Sequence, residues 1–504
     1  MQRLWLFALL AAVGCGSPTP PPPAVVTQGA PDDIEERVHN FCGGACHPYP
    51  PPDSFPRRHW RKEVERGFRF FEQSSKPLSP PPVEAVVKYY EDRSPAELAY
   101  PEIVPATKPL GVQFERIRHP APPGPKVAIS HINLVKLPAP GAAADREPPS
   151  VLACDMAGGR VMVLRPTDPE PAWKVIGKVP HPAHAEVLDL DKDGVLDVVV
   201  ADLGSFPPTD RLCGSVVWLR GKPDGTFDSH TLLDKVGRVA DVQAADFRGT
   251  GKLDLVVGVF GLTTTGEILF LENQTTDWAK PKFVPSQIDH RHGAIHMPVT
   301  DLNGDGKPDF VALIAQEHEQ VVGFVNQGGG KFAKHTLFAA PHPGYGSSGI
   351  ELVDMNGDGK LDILYTNGDI LDEPYLFKAY HGVQWLENKG NMKYERHAVS
   401  PMYGVHNARA GKLCGTDRQD ILAVSFLPAV HFPGREARKA DAVVLFEQVA
   451  PGKFERHSLA GVDCDAVVCA VGDLYGTGRV DFVVGNFSST TTDRPVTIWR
   501  NKGK

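Results

Sequence analysis

Six segments of this chain read as buried strands led by an aspartate: DVVVAD (197–202), DLVVGV (254–259), DFVALI (309–314), DILYTN (362–367), DILAVS (420–425) and DFVVGN (481–486). Their aspartates stand 57, 55, 53, 58 and 61 residues apart, and SVLACD (150–155) keeps the period without the aspartate. Self-similarity at such a period restricts the chain to a solenoid, an array or a propeller. A second strand-like run follows each segment: VMVLRP, VVWLRG, EILFLEN, VVGFVNQ, VQWLENK, VVLFEQ and VTIWRNK. A Gly-rich turn then leads to a third run, such as KFAKHTL or KFERHSL, and a further run, such as HAEVLDL or GIELVDM, precedes the aspartate. Four strands per period fit a propeller blade. The last unit lacks its fourth strand, and VQFERIRH (112–119), which resembles KFERHSL, stands ahead of the first unit. The expectation is a mainly β chain with a seven-bladed β-propeller over 112–504. Residues 112–119 would complete the last blade, with Val112, Phe114 and Ile117 buried against 496–501, so that no sheet edge stays open.

Three units carry an acidic loop just before the aspartate-led strand: DLDKDGVLD (189–197), DLNGDGKPD (301–309) and DMNGDGKLD (354–362). Oxygens at positions 1, 3, 5 and 9, a Gly at 6 and the carbonyl at 7 suit a hard cation. The candidate calcium ligands are therefore Asp189, Asp191, Asp193, Val195 and Asp197; Asp301, Asn303, Asp305, Lys307 and Asp309; and Asp354, Asn356, Asp358, Lys360 and Asp362. The loops DFRGTGKLD (246–254) and DLYGTGRVD (473–481) keep only the end aspartates, and KLCGTDRQD (412–420) is further degraded. These are expected to make the same turn without metal.

The N-terminus reads as an address. The apolar run 4–13 is too short to span a bilayer and ends in Ala12-Val13-Gly14-Cys15, which resembles a lipoprotein cleavage box with Cys15 as the lipidation site. The alternative is an ordinary signal peptide. The Pro-rich stretch 16–33 would be an extended tether. Residues 34–101 carry three amphipathic segments with Trp60, Val64, Phe68 and Phe71 on one stripe. They also carry FCGGACH (41–47), one residue longer between its thiols than the C-x-x-C-H of c-type haem. In this reading Cys42 and Cys46 bind haem covalently and His47 ligates the iron. His59 is the leading internal candidate for the distal position and His39 the other. A Cys42–Cys46 disulfide and a ligand-poor metal site are the competing readings. The arrangement resembles a reduced cytochrome c, and 102–111 would be a linker.

The acidic loops look like the FG-GAP-like, or VCBS, repeats of integrin α-type propellers, and the order of anchor, haem motif and propeller resembles a bacterial envelope family. The resemblance implies calcium at the three intact loops and names no substrate. Five residues before each loop a recurring slot holds His131, His184, Asp241, His296, Gly349, His406 and Val468, taking Gly411 as the loop start in unit six. The innermost strands bring this slot to the axis, where His131, His184, Asp241, His296 and His406 form a candidate channel cluster for a transition metal or an anionic ligand; the alternative is a repeated structural histidine. Cys464 with Cys469, and Cys154 with Cys213, are candidate disulfides, and Cys414 has no evident partner. A net charge of −8 argues against nucleic acid. No catalytic motif stands out. Two functions follow. One is a lipid-anchored envelope protein, periplasmic or surface-facing, with calcium and haem c, meeting a redox or other protein partner. The other is a non-redox binding or adhesion protein whose propeller recognises a protein or glycan.

Overall fold

The computed structural model describes residues 33–44, 48–74, 77–124, 126–137, 147–371, 375–461, 463–487 and 495–504. Cys15, the tether, Cys46 and His47 lie outside them.

The described strands form seven antiparallel sheets, one per repeat. Blade two is representative, with strands Pro182–Leu188, Asp197–Asp202, Gly214–Gly221 and Phe227–Val236 running outward in chain order. The innermost strand of every blade contacts that of each neighbour, and blade seven contacts blade one, so the ring is closed. The second strands of blades one to six are buried along their whole length. Neighbouring blades cover both of their faces, which is why these segments read as continuous apolar runs rather than alternating ones. The outermost strands have one face in water, and their apolar residues thin out.

Closure follows the expected route. Strand Gln113–Arg118 pairs with Val496–Gly503 and completes blade seven. Val112 is buried, Phe114 and Ile117 pack half-buried on the same core, and the Phe114 ring lies 5.0 Å from that of Phe482. Arg116 covers Trp499 at 4.1 Å and donates to the Leu459 carbonyl at 2.7 Å, tying blade seven to blade six. Blade four departs from the pattern. Its innermost strand is split into Ala294–His296 and Val299–Thr300, because Pro298 has no N–H to give the ladder.

Among the described residues three α-helices precede the propeller: α1 (Asp33–Gly44), α2 (Trp60–Ser74) and α3 (Val83–Arg93). The amphipathic stripe begins one turn later than its sequence limits imply, since Arg57–His59 form a 3-10 turn. Val38, Trp60, Val64, Phe68, Val86 and Tyr90 make the core, and Trp60 stacks on Tyr90 at 3.9 Å. This core continues onto the propeller, for Leu376 of blade five packs against it. The Phe55 ring lies so close over Gly344 that a Cβ there would sit 3.1 Å from it. The stretch 102–111 is not a free linker. Ile103 and Leu110 lie half-buried on the propeller core, and the Ala106 N–H donates to the Arg456 carbonyl at 2.7 Å. Just before it, Tyr100 lies against Tyr403 and under Arg438, with its hydroxyl donating to the Phe377 carbonyl at 3.1 Å.

Candidate metal and haem sites

Each acidic loop is wound around its first aspartate. Asp301 Oδ1 accepts the N–H groups of Gly304 and Asp305 at 2.8 and 3.2 Å, and its Oδ2 accepts that of Gly306 at 2.8 Å. Asn303 Oδ1 accepts the Asp305 N–H, and Asp305 accepts that of Lys307, both at 2.9 Å. Asp354, Asn356, Asp358 and Lys360 repeat the pattern. Left-handed backbone at positions 4 and 6 makes the winding possible: Gly304 and Gly306 have φ of 75° and 80°, and in blade two Lys192 takes the fourth position at 60°. In blade two, Asp189, Asp191 and Asp193 each bring a carboxylate oxygen within 4.8 Å of the others. Their repulsion is relieved by a guanidinium, since Arg220 lies 2.6 Å from Asp191 and 3.3 Å from Asp193. In blades four and five, the backbone N–H and ammonium of Lys307 and Lys360 hold Asp305 and Asp358 below the usual carboxylate range. Those lysines are exposed and free to swing away.

The ninth position has a separate task. Asp197, Asp309, Asp362, Asp420 and Asp481 are fully buried, and each takes a loop N–H on one oxygen and a third-strand N–H on the other. In blade four, Asp309 Oδ2 takes the Leu302 N–H at 2.9 Å and Oδ1 takes the Asn326 N–H at 2.7 Å. Blade seven, whose loop has lost its middle carboxylates, does the same, with Leu474 at 2.9 Å and Asn501 at 2.7 Å. The degraded loops also keep the turn: Asp246 and Asp473 still gather the N–H groups of positions 5 and 6. One set of residues was missed at the sequence level. Asn273, Asn326, Asn388 and Asn501 stand at or near the ends of the third strands and donate their amides to the position-8 carbonyls of Leu253, Pro308, Leu361 and Val480. Asn326 and Asn501 also reach the neighbouring blade at Phe247 and Leu413. The repeated Asn in LEN, VNQ and RNK was the available signal.

At the axis, His131 and His184 face each other with ring centroids 4.2 Å apart. His184 Nε2 lies 2.7 Å from Glu186 and 3.3 Å from Asp241, and the Gln243 amide donates to both carboxylates at 3.1 Å. Burial alone would depress His184, but Asp241 and Glu186 outweigh it and raise it to about 9. Burial, with Arg409 and His184 nearby, lowers His296 to about 3 and leaves its ring neutral. Blade six needs a correction. Asn407, not His406, pairs with Val424 in the slot that His184 fills opposite Ala201, so its loop starts at Lys412. His406 occupies the bulge that every innermost strand carries one residue earlier, and bonds the Val467 carbonyl at 3.1 Å. Glu186, Gln243 and Glu351 lie two residues beyond the slot; a period of two places them on the same face. Among the described residues, no channel histidine belongs to a cluster of three donor atoms within 4.8 Å.

Around Cys42, at the end of α1, the wall is aromatic. Cys42 packs beside Phe41 and Tyr49 on the helical core, and burial pushes its thiol up to about 11. His39 stacks on Tyr49 at 3.8 Å and shares a 3.3 Å hydrogen bond with the Tyr89 hydroxyl. His59 lies elsewhere, half-exposed among Arg58, Lys62 and Glu97. The other described cysteines are unbridged: Cys154, Cys213, Cys414, Cys464 and Cys469 are all free thiols. Cys469 faces Asn407 and Leu422, whereas Cys464 precedes the strand and its carbonyl binds the Leu427 N–H, so the two do not meet.

A family model of FG-GAP-like repeats matches residues 189–257 and 301–365. Each match opens on the first aspartate of an intact acidic loop and ends within the second strand of the following blade. No curated protein matches the chain.

Proposed function

We propose that this chain is a cell-envelope electron-transfer module, lipid-anchored at Cys15, in which a calcium-binding propeller carries a small c-type haem domain to a redox partner. The observation that supports it is the setting of Cys42. This thiol closes α1 against the aromatic wall of Phe41, Tyr49 and Tyr90, an apolar surface of the kind a porphyrin face requires. The donor chemistry fits: Cys42 and Cys46 would hold the group and His47 would ligate its iron, and the bound haem would supply a one-electron carrier. His39 shares that wall through Tyr49 and becomes the better distal candidate than His59. The seating of the helical core on Gly344 and Leu376 fixes the domain relative to the propeller, so a partner could read both surfaces at once.

Asp189, Asp191 and Asp193, with the equivalent residues of 301–309 and 354–362, would bind calcium. Their contribution is to join the innermost and second strands of blades two, four and five.

One observation favours the second reading, a binding protein. Phe206, Leu212, Leu371, Tyr375 and Val430 are exposed on loops between second and third strands, apolar surface that an interaction would cover. The protein expressed with c-type maturation decides between the two. A red product that keeps its haem in acid–acetone and loses it on Cys42→Ser supports the redox reading. A colourless product with a Cys42–Cys46 disulfide by mass spectrometry leaves the binding protein.

A further inference from the structure

We propose that His292, Glu317 and His318 form a binding site for one divalent transition cation of the zinc and cobalt class, on the propeller face opposite the acidic loops. His292 lies in the loop from Phe283–Asp289 to Ala294–His296. Glu317 and His318 form the turn between Asp309–Ile314 and Gln320–Gly328. The two loops bring one ligand atom from each residue within 4.8 Å of the others. His292 Nε2 is 2.7 Å from Glu317 Oε2, His318 Nε2 is 4.0 Å from Oε1, and the rings stand 5.2 Å apart. Donors of a tetrahedral site with bonds of about 2.0 Å stand roughly 3.3 Å apart. With one donor atom from each residue within 4.8 Å of the others, a cation could draw the three together by small side-chain rotations.

The chemistry selects the ion. Two imidazoles and one carboxylate suit a borderline transition cation and are a poor match for calcium, which takes oxygen. Burial lowers His318 to about 4, so its ring is neutral and able to ligate at neutral pH. Side-chain exposures of 15, 35 and 18% leave the donors reachable from solvent yet held by protein, with a coordination position left for water or an exogenous ligand.

The surroundings hold the donors in place. Gly266 and Gly293 let the loops approach: a Cβ at Gly266 would lie 2.2 Å from that of His292, and one at Gly293 would lie 2.8 Å from the Ala315 carbonyl. Gln316 and Glu319, on either side of the pair, adopt positive φ of 57° and 45°, and the Glu319 carboxylate accepts the Gly346 and Ser347 N–H groups at 2.8 Å. The adjacent Arg291 is engaged with Asp289 and Gln320. A second cluster, Glu387, Glu395 and His397, lacks this freedom. Its cation is already present, since Lys389 lies 2.7 and 3.3 Å from the two carboxylates.

The site is independent of the haem and calcium readings, and so is its test. Full-length protein without a polyhistidine tag, stripped of transition metals and saturated with calcium, is titrated with Co²⁺ and then Zn²⁺. One equivalent of Co²⁺ should develop visible d–d absorption that Zn²⁺ abolishes. His292→Ala and His318→Ala should each weaken binding at least about 100-fold, and Cys42→Ser should leave it unchanged. In the unaltered protein, Zn²⁺ should protect His292 and His318 from diethylpyrocarbonate, read by peptide mass spectrometry, whatever the folding of the variants. Absence of saturable Co²⁺ binding, binding that survives both histidine variants, or modification that Zn²⁺ leaves unaltered would overturn the assignment.

Discussion

Asp481→Ala separates the clamp at the ninth loop position from the metal proposed beside it. Asp481 is fully buried in a loop that has lost its middle carboxylates, and it accepts the N–H groups of Leu474 and Asn501. Truncation orphans both donors. A buried N–H without an acceptor costs about 1–3 kcal/mol, and removing a desolvated carboxylate returns part of this, so the net loss should be about 3 kcal/mol. For a propeller spanning 112–504, unfolding entropy near the midpoint is roughly 0.8 kcal/mol per degree, which places the drop in melting temperature at about 4 °C. Asp481→Asn, which keeps one acceptor, should lose about half. The deficit should be equal in calcium and in chelator. Asp305→Ala should behave in the opposite way, melting with the parent in chelator and below it only when calcium is present, because a ligand that binds only the folded state stabilises it by mass action. Calorimetry of the parent and the three variants in both buffers is the assay. If Asp481→Ala melts with the parent, or its deficit vanishes in chelator, the clamp reasoning is wrong.

Two further outcomes follow from the fold. Phe114→Ala combined with Ile117→Asp should detach Gln113–Arg118 from Val496–Gly503, lower stability by about 2–4 kcal/mol and expose a strand edge that associates; an unchanged melt with a monomeric light-scattering mass would refute closure through this strand. His296 has a folded-state pKa of about 3, below its ordinary value in the unfolded chain. Its contribution is therefore complete above pH 6.5 and is lost as pH falls toward 3. Channel solvent reaches part of the ring, so roughly 1 kcal/mol should be lost by pH 5, and His296→Gln should flatten that slope in pH-dependent denaturation; a parallel slope would assign it elsewhere.

The period of the aspartate-led strands was enough to give the blade count, the order of strands and the closing role of 112–119. Blades one to six are local meanders, and the burial pattern of each is written in consecutive residues. The winding of the acidic loops was legible for the same reason, since nine contiguous residues contain both the donors and the acceptors. The innermost register of blade six was not. Its degraded loop lacks the leading aspartate that marks the count elsewhere, so a start at Gly411 rather than Lys412 put His406 in the slot that Asn407 takes. The course of 100–111 escaped as well, because the anchors of Tyr100 and Ala106 (Tyr403, Phe377, Arg438 and Arg456) lie roughly three hundred residues away. The same holds for His292, Glu317 and His318. His292 reads in the sequence as a rim histidine of the channel, Glu317 and His318 are unremarkable where they stand, and only the packing of blade three's last loop against blade four's turn sets two imidazoles around one carboxylate.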